Sequence, residues 1–327
     1  MTKYQAVGIG NAVVDVISQC DDAFLAANGV EKGVMTLIEQ DRGEALYDAM
    51  ENRFQAPGGS VANTIAGLGA LGLTTALIGR VNDDELGQYY AQAMADAGTD
   101  FVNAPRTGDM PTSRSMIFVS PDGERSMNTY LGISTELGVD DVRADVAGGA
   151  GLLVLEGYLF DKPKGKAAFF AAAHACRVGG GMAGASLSDP YCVDRHRDDF
   201  RQLVRDLDYV IGNEHEWKSL YQTDDLSAAL DNAASDCGLI VCTQSGQDVM
   251  IKRAGETVQV PVQAETPVDT TGAGDQFAAG FLYGLATGAD LMVAGRMGCI
   301  AAREVIGHYG ARPEVDVKAL FKAEGLL

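Results

Sequence analysis

In the second half of the chain, short continuous apolar runs alternate with longer segments whose apolar residues recur at helical spacing. The runs lie at 151–155 (GLLVL), 183–187 (AGASL), 208–211 (DYVI) and 238–242 (GLIVC), with amphipathic segments such as 163–177 and 226–237 between them. Strands apolar on both faces and separated by helices predict a parallel sheet covered on both sides, with right-handed crossovers. Residues 4–10 fit the first strand of that sheet. The segments 13–19, 33–39, 113–120 and 125–131 mix apolar with polar positions, which predicts a second sheet with one open face. Pro121-Asp122-Gly123-Glu124 is a hairpin turn between the last two. Helices are expected at 40–53, 60–71 and 84–97. The pattern predicts an α/β main domain of residues 1–12, 56–109 and 134–327, with a small β-lid inserted as 13–55 and 110–133. No internal repeat or low-complexity tract interrupts it.

Composition narrows the classes. Of 327 residues 46% are hydrophobic and 21% charged, an ordinary globular balance. Acidic residues outnumber basic ones by 45 to 25, for a net charge of −20. That surface repels nucleic acid and anionic lipid, so any phosphorylated ligand needs a local site. Asn11 and Asp15 break the N-terminal apolar stretch, which is unlike a signal peptide. No run reaches the roughly 18–20 apolar residues of a bilayer span. A soluble, cytoplasmic protein is expected. The six cysteines (20, 176, 192, 237, 242 and 299) form no C-x-x-C pair and the four histidines are scattered, so buried reduced thiols are expected and no zinc site.

The strongest chemical signal is Asp269-Thr270-Thr271-Gly272-Ala273-Gly274-Asp275-Gln276-Phe277. Phe277, Phe281 and Leu285 then recur every four residues, a helix opened by a small-residue turn. Free N–H groups and the helix dipole make such a turn an anion cradle. Asp275 falls in the first turn, where it can accept a proton from an attacking hydroxyl. The dipole is expected to keep it ionised and weakly basic, which suffices for phosphoryl transfer. A plain helix cap is the bland alternative.

This stretch resembles the C-terminal signature of the PfkB (ribokinase-like) carbohydrate kinases. Ala56-Pro57-Gly58-Gly59-Ser60-Val61-Ala62-Asn63, Asn213-Glu214-His215-Glu216 and Thr243-Gln244-Ser245-Gly246 resemble the family's other motifs, in the same order. The resemblance implies a ribokinase-like three-layer αβα sandwich with a mainly parallel sheet and a β-lid. It also implies transfer of phosphate from MgATP to a hydroxymethyl group. By it, Asp275 is the catalytic base and Gly272, Ala273 and Gly274 form the anion hole. Asn213 and Glu216 organise Mg²⁺ largely through water, while Thr243, Gly246, Thr271, Gly272 and Gly274 lie along ATP. A monovalent cation (K⁺) near Asp269 and Thr271 is left open, as is the choice between monomer and homodimer.

Asn11 and Asp15 stand four apart in Gly10-Asn11-Ala12-Val13-Val14-Asp15, an arrangement similar to the adenosine kinase branch. That implies Asp15 on the ribose cis-diol, with Asn11, Gly58, Gly59 and Asn63 around the sugar. Leu37, Met127, Leu131 and Tyr158 are expected to wall the base, and Arg125 to reach the transferring phosphate. Adenosine is the expected acceptor, and a free sugar or another nucleoside is the alternative. Two rivals are weaker. In Gly8-Ile9-Gly10 the third glycine of a dinucleotide motif is replaced by Val13. The P-loop pattern is absent. A non-catalytic binder on the same fold conflicts with the intact Asp275, Asn213 and Glu216.

Overall fold

The structure, a computed structural model, describes residues 3–263 and 265–327. The first half supplies β1 (Tyr4–Ile9), β2 (Val13–Gln19), β3 (Met35–Leu37), β4 (Phe54–Gly58), β5 (Thr75–Ile78), β6 (Thr99–Phe101), β7 (Ser113–Val119) and β8 (Arg125–Tyr130). The second half supplies β9 (Ala150–Glu156), β10 (Met182–Ser186), β11 (Tyr209–Asn213), β12 (Leu239–Gln244), β13 (Gln247–Arg253) and β14 (Glu256–Val260). They form a nine-stranded sheet in the order β14-β13-β12-β11-β10-β9-β1-β5-β6 and a five-stranded sheet in the order β3-β8-β7-β2-β4. The large sheet is parallel from β12 to β6, and β13 and β14 are antiparallel at its edge.

Alternate residues of the parallel strands feed two cores. Leu152 and Val154, with Leu239 and Val241, pack under the helices Ser60–Ala70, Ala273–Ala286 and Leu291–Val305. Leu153 and Leu155, with Ile240 and Cys242, pack under Pro163–Val178, Glu214–Tyr221 and Leu226–Asp236. This is why the strands read as unbroken apolar runs. Ala273–Ala286 and Leu291–Val305 meet closely: a Cβ at Gly280 would stand 2.4 Å from the Met297 carbonyl.

The expected lid is the five-stranded sheet. It also contains β4, which was not anticipated and which runs across the expected domain boundary at residue 56. The expected strand at 33–39 shortens to β3, whose residues are all exposed. The short strands β5 and β6 and the β13–β14 hairpin were also missed. Cys20 and Cys299 are only half-buried, unlike the other four, and all six thiols are free. No helix among the described residues is long and apolar enough to cross a membrane.

Candidate active site

Gly272 caps the helix Ala273–Ala286 in the left-handed conformation, φ 78°. A Cβ there would lie 2.6 Å from Ala311 Cα, so only glycine fits the turn. Ala273 N–H donates to the Thr270 carbonyl at 3.2 Å. Among the described residues, the N–H groups of Gly272, Gly274 and Asp275 have no such acceptor, and a Cβ at Gly274 would meet nothing within 4 Å. The cradle therefore opens at Gly272 and Gly274, with Ala273 turned to the loop.

Asp275 sits in the first turn of that helix. Its Oδ1 accepts from Ser60 Oγ at 2.7 Å and its Oδ2 from Asn63 Nδ2 at 3.1 Å. Burial pushes its carboxyl up to about 6, while the Ser60 and Asn63 bonds and the Arg312 charge pull it back. The Asp275 carboxylate is thus more basic than the dipole argument anticipates, because desolvation outweighs the dipole. Ser60 was not singled out from sequence, although its place inside the Gly-Gly motif was the available signal. Gln276 is buried and turned away from the acid. Its Nε2 donates to the carbonyls of Asn63 (3.2 Å) and Ala311 (3.0 Å).

Asp15 projects from β2 toward Gly58, where a Cβ would fall 2.6 Å from its Oδ2. Among the described residues no hydrogen bond reaches this carboxylate. Burial raises it to about 7, against the charges of Arg125 and Arg312. Asn11 makes one bond at each end of its amide and keeps a second N–H and a second lone pair. Its Nδ2 donates to Glu156 Oε1 at 2.6 Å, and its Oδ1 accepts from Ser134 Oγ at 3.0 Å. Glu156, another residue the sequence did not reveal, also accepts from the N–H groups of Asn11 (3.2 Å) and Val61 (3.1 Å), and burial raises it to about 7. Gly59 has φ 101°, and a Cβ there would strike the Asn11 carbonyl at 2.3 Å.

These groups line a cavity of about 920 Å³ whose walls include Met35, Leu37, Met127, Leu131 and Tyr158. A second cavity of about 660 Å³ lies between the β12–β13 turn and the helices Ala273–Ala286 and Leu291–Val305. The two share Asn213, Thr243, Thr270 and Gly274, so they join beside the cradle. The expected Thr243–Gly246 turn is a two-residue hairpin, with Ser245 at φ 43° and Gly246 at φ 88°.

Asn213 caps the helix Glu214–Tyr221, accepting from the N–H groups of His215 and Glu216, both at 2.9 Å. Glu216 answers by accepting from Asn213 N at 2.7 Å and Nδ2 at 2.9 Å. The Glu216 carboxyl is buried among neutral donors and raised to about 7. A buried acid with a lone pair left on each oxygen and no cationic side chain beside it fits a hard cation held through water, whereas the Asn213 amide oxygen is already occupied by two N–H groups. No group of three His, Cys, Asp or Glu forms a metal cage among the described residues.

Arg125 is not in the cavity wall. It pairs with Asp269 and reaches Thr271 Oγ1 at 3.3 Å, tying β8 to the signature loop. Asp269 also accepts from Thr271 N and Oγ1 (2.9 and 2.7 Å) and from Gly310 N (3.0 Å). Burial opposes its ionisation, but the Gly310 and Thr271 bonds and the Arg125 charge prevail, holding it below the usual carboxylate range. With four bonds made, the Asp269 carboxylate has no free lone pair to offer a monovalent cation.

The sequence pattern of the pfkB family of carbohydrate kinases matches residues 34–318. The chain belongs to this family. A probable sugar kinase from Rhizobium etli CFN 42 superposes with a TM-score of 0.92 at 43% identity, over all of both chains. The adenosine kinase from Sinorhizobium meliloti gives a TM-score of 0.90 at 44% identity, over 98% of this chain and 99% of that one. An uncharacterized sugar kinase from Archaeoglobus fulgidus is 29% identical across 75% of this chain and 96% of its own length. This pfkB-family chain is a kinase with the ribokinase-like α/β fold, and its relatives bear both nucleoside and sugar names.

Proposed function

We propose that the protein transfers the γ-phosphate of ATP to the 5′-hydroxyl of a ribonucleoside, with adenosine the preferred acceptor. The observation that carries this reading is the Asp15 carboxylate. It has no hydrogen-bond partner among the described residues, and it faces a cavity also walled by Met35, Leu37, Met127, Leu131 and Tyr158. A carboxylate accepts two vicinal O–H donors, and apolar walls suit a flat base. The likeness to the Sinorhizobium meliloti adenosine kinase supports the same choice.

In this reading the sugar rests on Asp15, between Gly59 and Asn63, while Gly58 lies against the Asp15 carboxyl and outside the cavity lining. Asp275 keeps a lone pair on each oxygen beyond those used by Ser60 and Asn63, and takes the hydroxyl proton as the new bond to the γ-phosphorus forms and its bond to the departing ADP oxygen breaks. The open amides of Gly272 and Gly274 stabilise charge on the transferring group. ATP lies in the second cavity along Thr243 and Gly246 and reaches the cradle where the cavities join; Thr271 lines the first cavity, not the second. Glu216, held in place by Asn213, would hold Mg²⁺ through water, and the ion would supply charge neutralisation at the phosphates. Arg125 steadies the signature loop through Asp269 and lines neither cavity. The similar Rhizobium and Archaeoglobus proteins favour a free sugar as the second reading.

5′-Deoxyadenosine should bind by calorimetry and release no ADP. Asp275→Asn should bind adenosine while losing about 10²–10⁴-fold in kcat, the usual weight of a general base. Near-normal turnover by Asp275→Asn would overturn the reading.

A further inference from the structure

Arg312 lies outside every motif, in the loop between the helices Leu291–Val305 and Val317–Ala323. Its Nε donates to Asn63 Oδ1 at 3.2 Å, and Asn63 Nδ2 donates to Asp275 Oδ2 at 3.1 Å. Asn63 itself is buried. An amide has one donor end and one acceptor end, and a guanidinium can only donate. Flipping Asn63 would set two donors against each other at Arg312 and two acceptors against each other at Asp275. Arg312 therefore fixes which end of Asn63 meets the acid. The loop is pinned from the other side too, because Gln276 bonds both Ala311 O (3.0 Å) and Asn63 O (3.2 Å).

Four titratable groups face this guanidinium: Asp15, Asp275, Tyr89 and Tyr90. Asp275 in turn faces Ser60, Asn63 and Arg312, and its charge is felt at Asp15 and Glu156. Asp15 also feels Arg125. Within this set, Arg312 is the charge that opposes the upward push of burial on both acids.

We propose that Arg312 is a positioning residue for phosphoryl transfer: it locks the Asn63 amide toward Asp275 and holds a positive charge against the two carboxylates that meet the acceptor. The proposal rests on the reading of Asp275 as the base. Removing the charge raises the Asp275 pKa, so at a given acid pH less of the ionised base remains and the acid limb of kcat/KM moves up.

The test is kcat/KM for adenosine with saturating MgATP from pH 5.5 to 9, for wild type, Arg312→Met, Arg312→Gln and Arg312→Lys. Met and Gln should displace the acid limb upward by about one unit, adding about a tenfold loss at pH 5.5 relative to pH 9. Lys should keep the limb near wild type while lowering kcat at every pH, because a point charge does not reproduce the guanidinium's geometry. If Arg312→Met does not fold, the Gln and Lys pair carries the same contrast. Profiles parallel to wild type in Met or Gln would overturn the proposal and leave Arg312 structural. Asp275→Asn, run alongside, separates the two claims. Its loss of turnover with parallel Arg312 profiles sinks only the Arg312 proposal, whereas its near-normal turnover sinks the base reading as well.

Discussion

At the scale of single residues, the site is shaped by what glycine leaves out. A methyl group at Gly58 would land 2.6–2.7 Å from the atoms of the Asp15 carboxyl group, a side chain that can rotate away. In the proposed reading, the fold therefore tolerates the change and the acceptor site does not. Gly58→Ala should raise the acceptor KM roughly ten- to a hundredfold, the worth of one charge-assisted hydrogen bond, and leave the KM for ATP unchanged. Steady-state kinetics with each substrate varied in turn check this. Equal shifts in both constants would show that Asp15 does not hold the acceptor. Asp15 and Asp275 were legible from spacing and motif. Glu156 and Arg312 were not, because each acts through a contact between residues far apart in sequence, such as Arg312 with Asn63 and Glu156 with Asn11.

At the scale of elements, the long parallel strands could be read from sequence because both faces are buried and their apolar runs are continuous. Most of the strands that escaped notice are short or exposed; β13 is neither, and its seven residues alternate buried with half-buried positions instead of forming a continuous apolar run. The strand β6 has three residues, and most of β14 is exposed. The lid was legible as a half-polar sheet, but Phe54–Gly58 was hidden by a proline and a glycine that usually mark loops. The lid strand β8 is bound to the signature loop by Arg125 and Asp269, whose side chains are 10% and 5% exposed. Removing one partner of a buried pair leaves the other charge uncompensated. Arg125→Ala should cost about 3 kcal/mol in urea unfolding. A change within error would mean that this contact between lid and main domain contributes nothing to stability.

At the scale of the whole molecule, two chambers meet at one helix N-terminus. One is walled by the lid and carries Asp15; the other lies under the β12–β13 turn. Asp15, Glu156, Glu216 and Asp275 all have carboxyl groups raised by burial, in a protein of net charge −20. Such a molecule attracts a phosphorylated co-substrate only where local N–H groups and a metal ion offset that field, which places ATP at the Gly272–Gly274 turn in the proposed reading. The central claim is that the lid chamber selects a purine nucleoside. It is tested most directly by ADP release with MgATP against adenosine, inosine, guanosine, cytidine, ribose and fructose. The account predicts that kcat/KM for adenosine exceeds that for ribose and fructose by at least about a hundredfold, the discrimination expected when a bound base contributes a few kcal/mol to the transition state. Turnover on a free sugar with none on any nucleoside would contradict it.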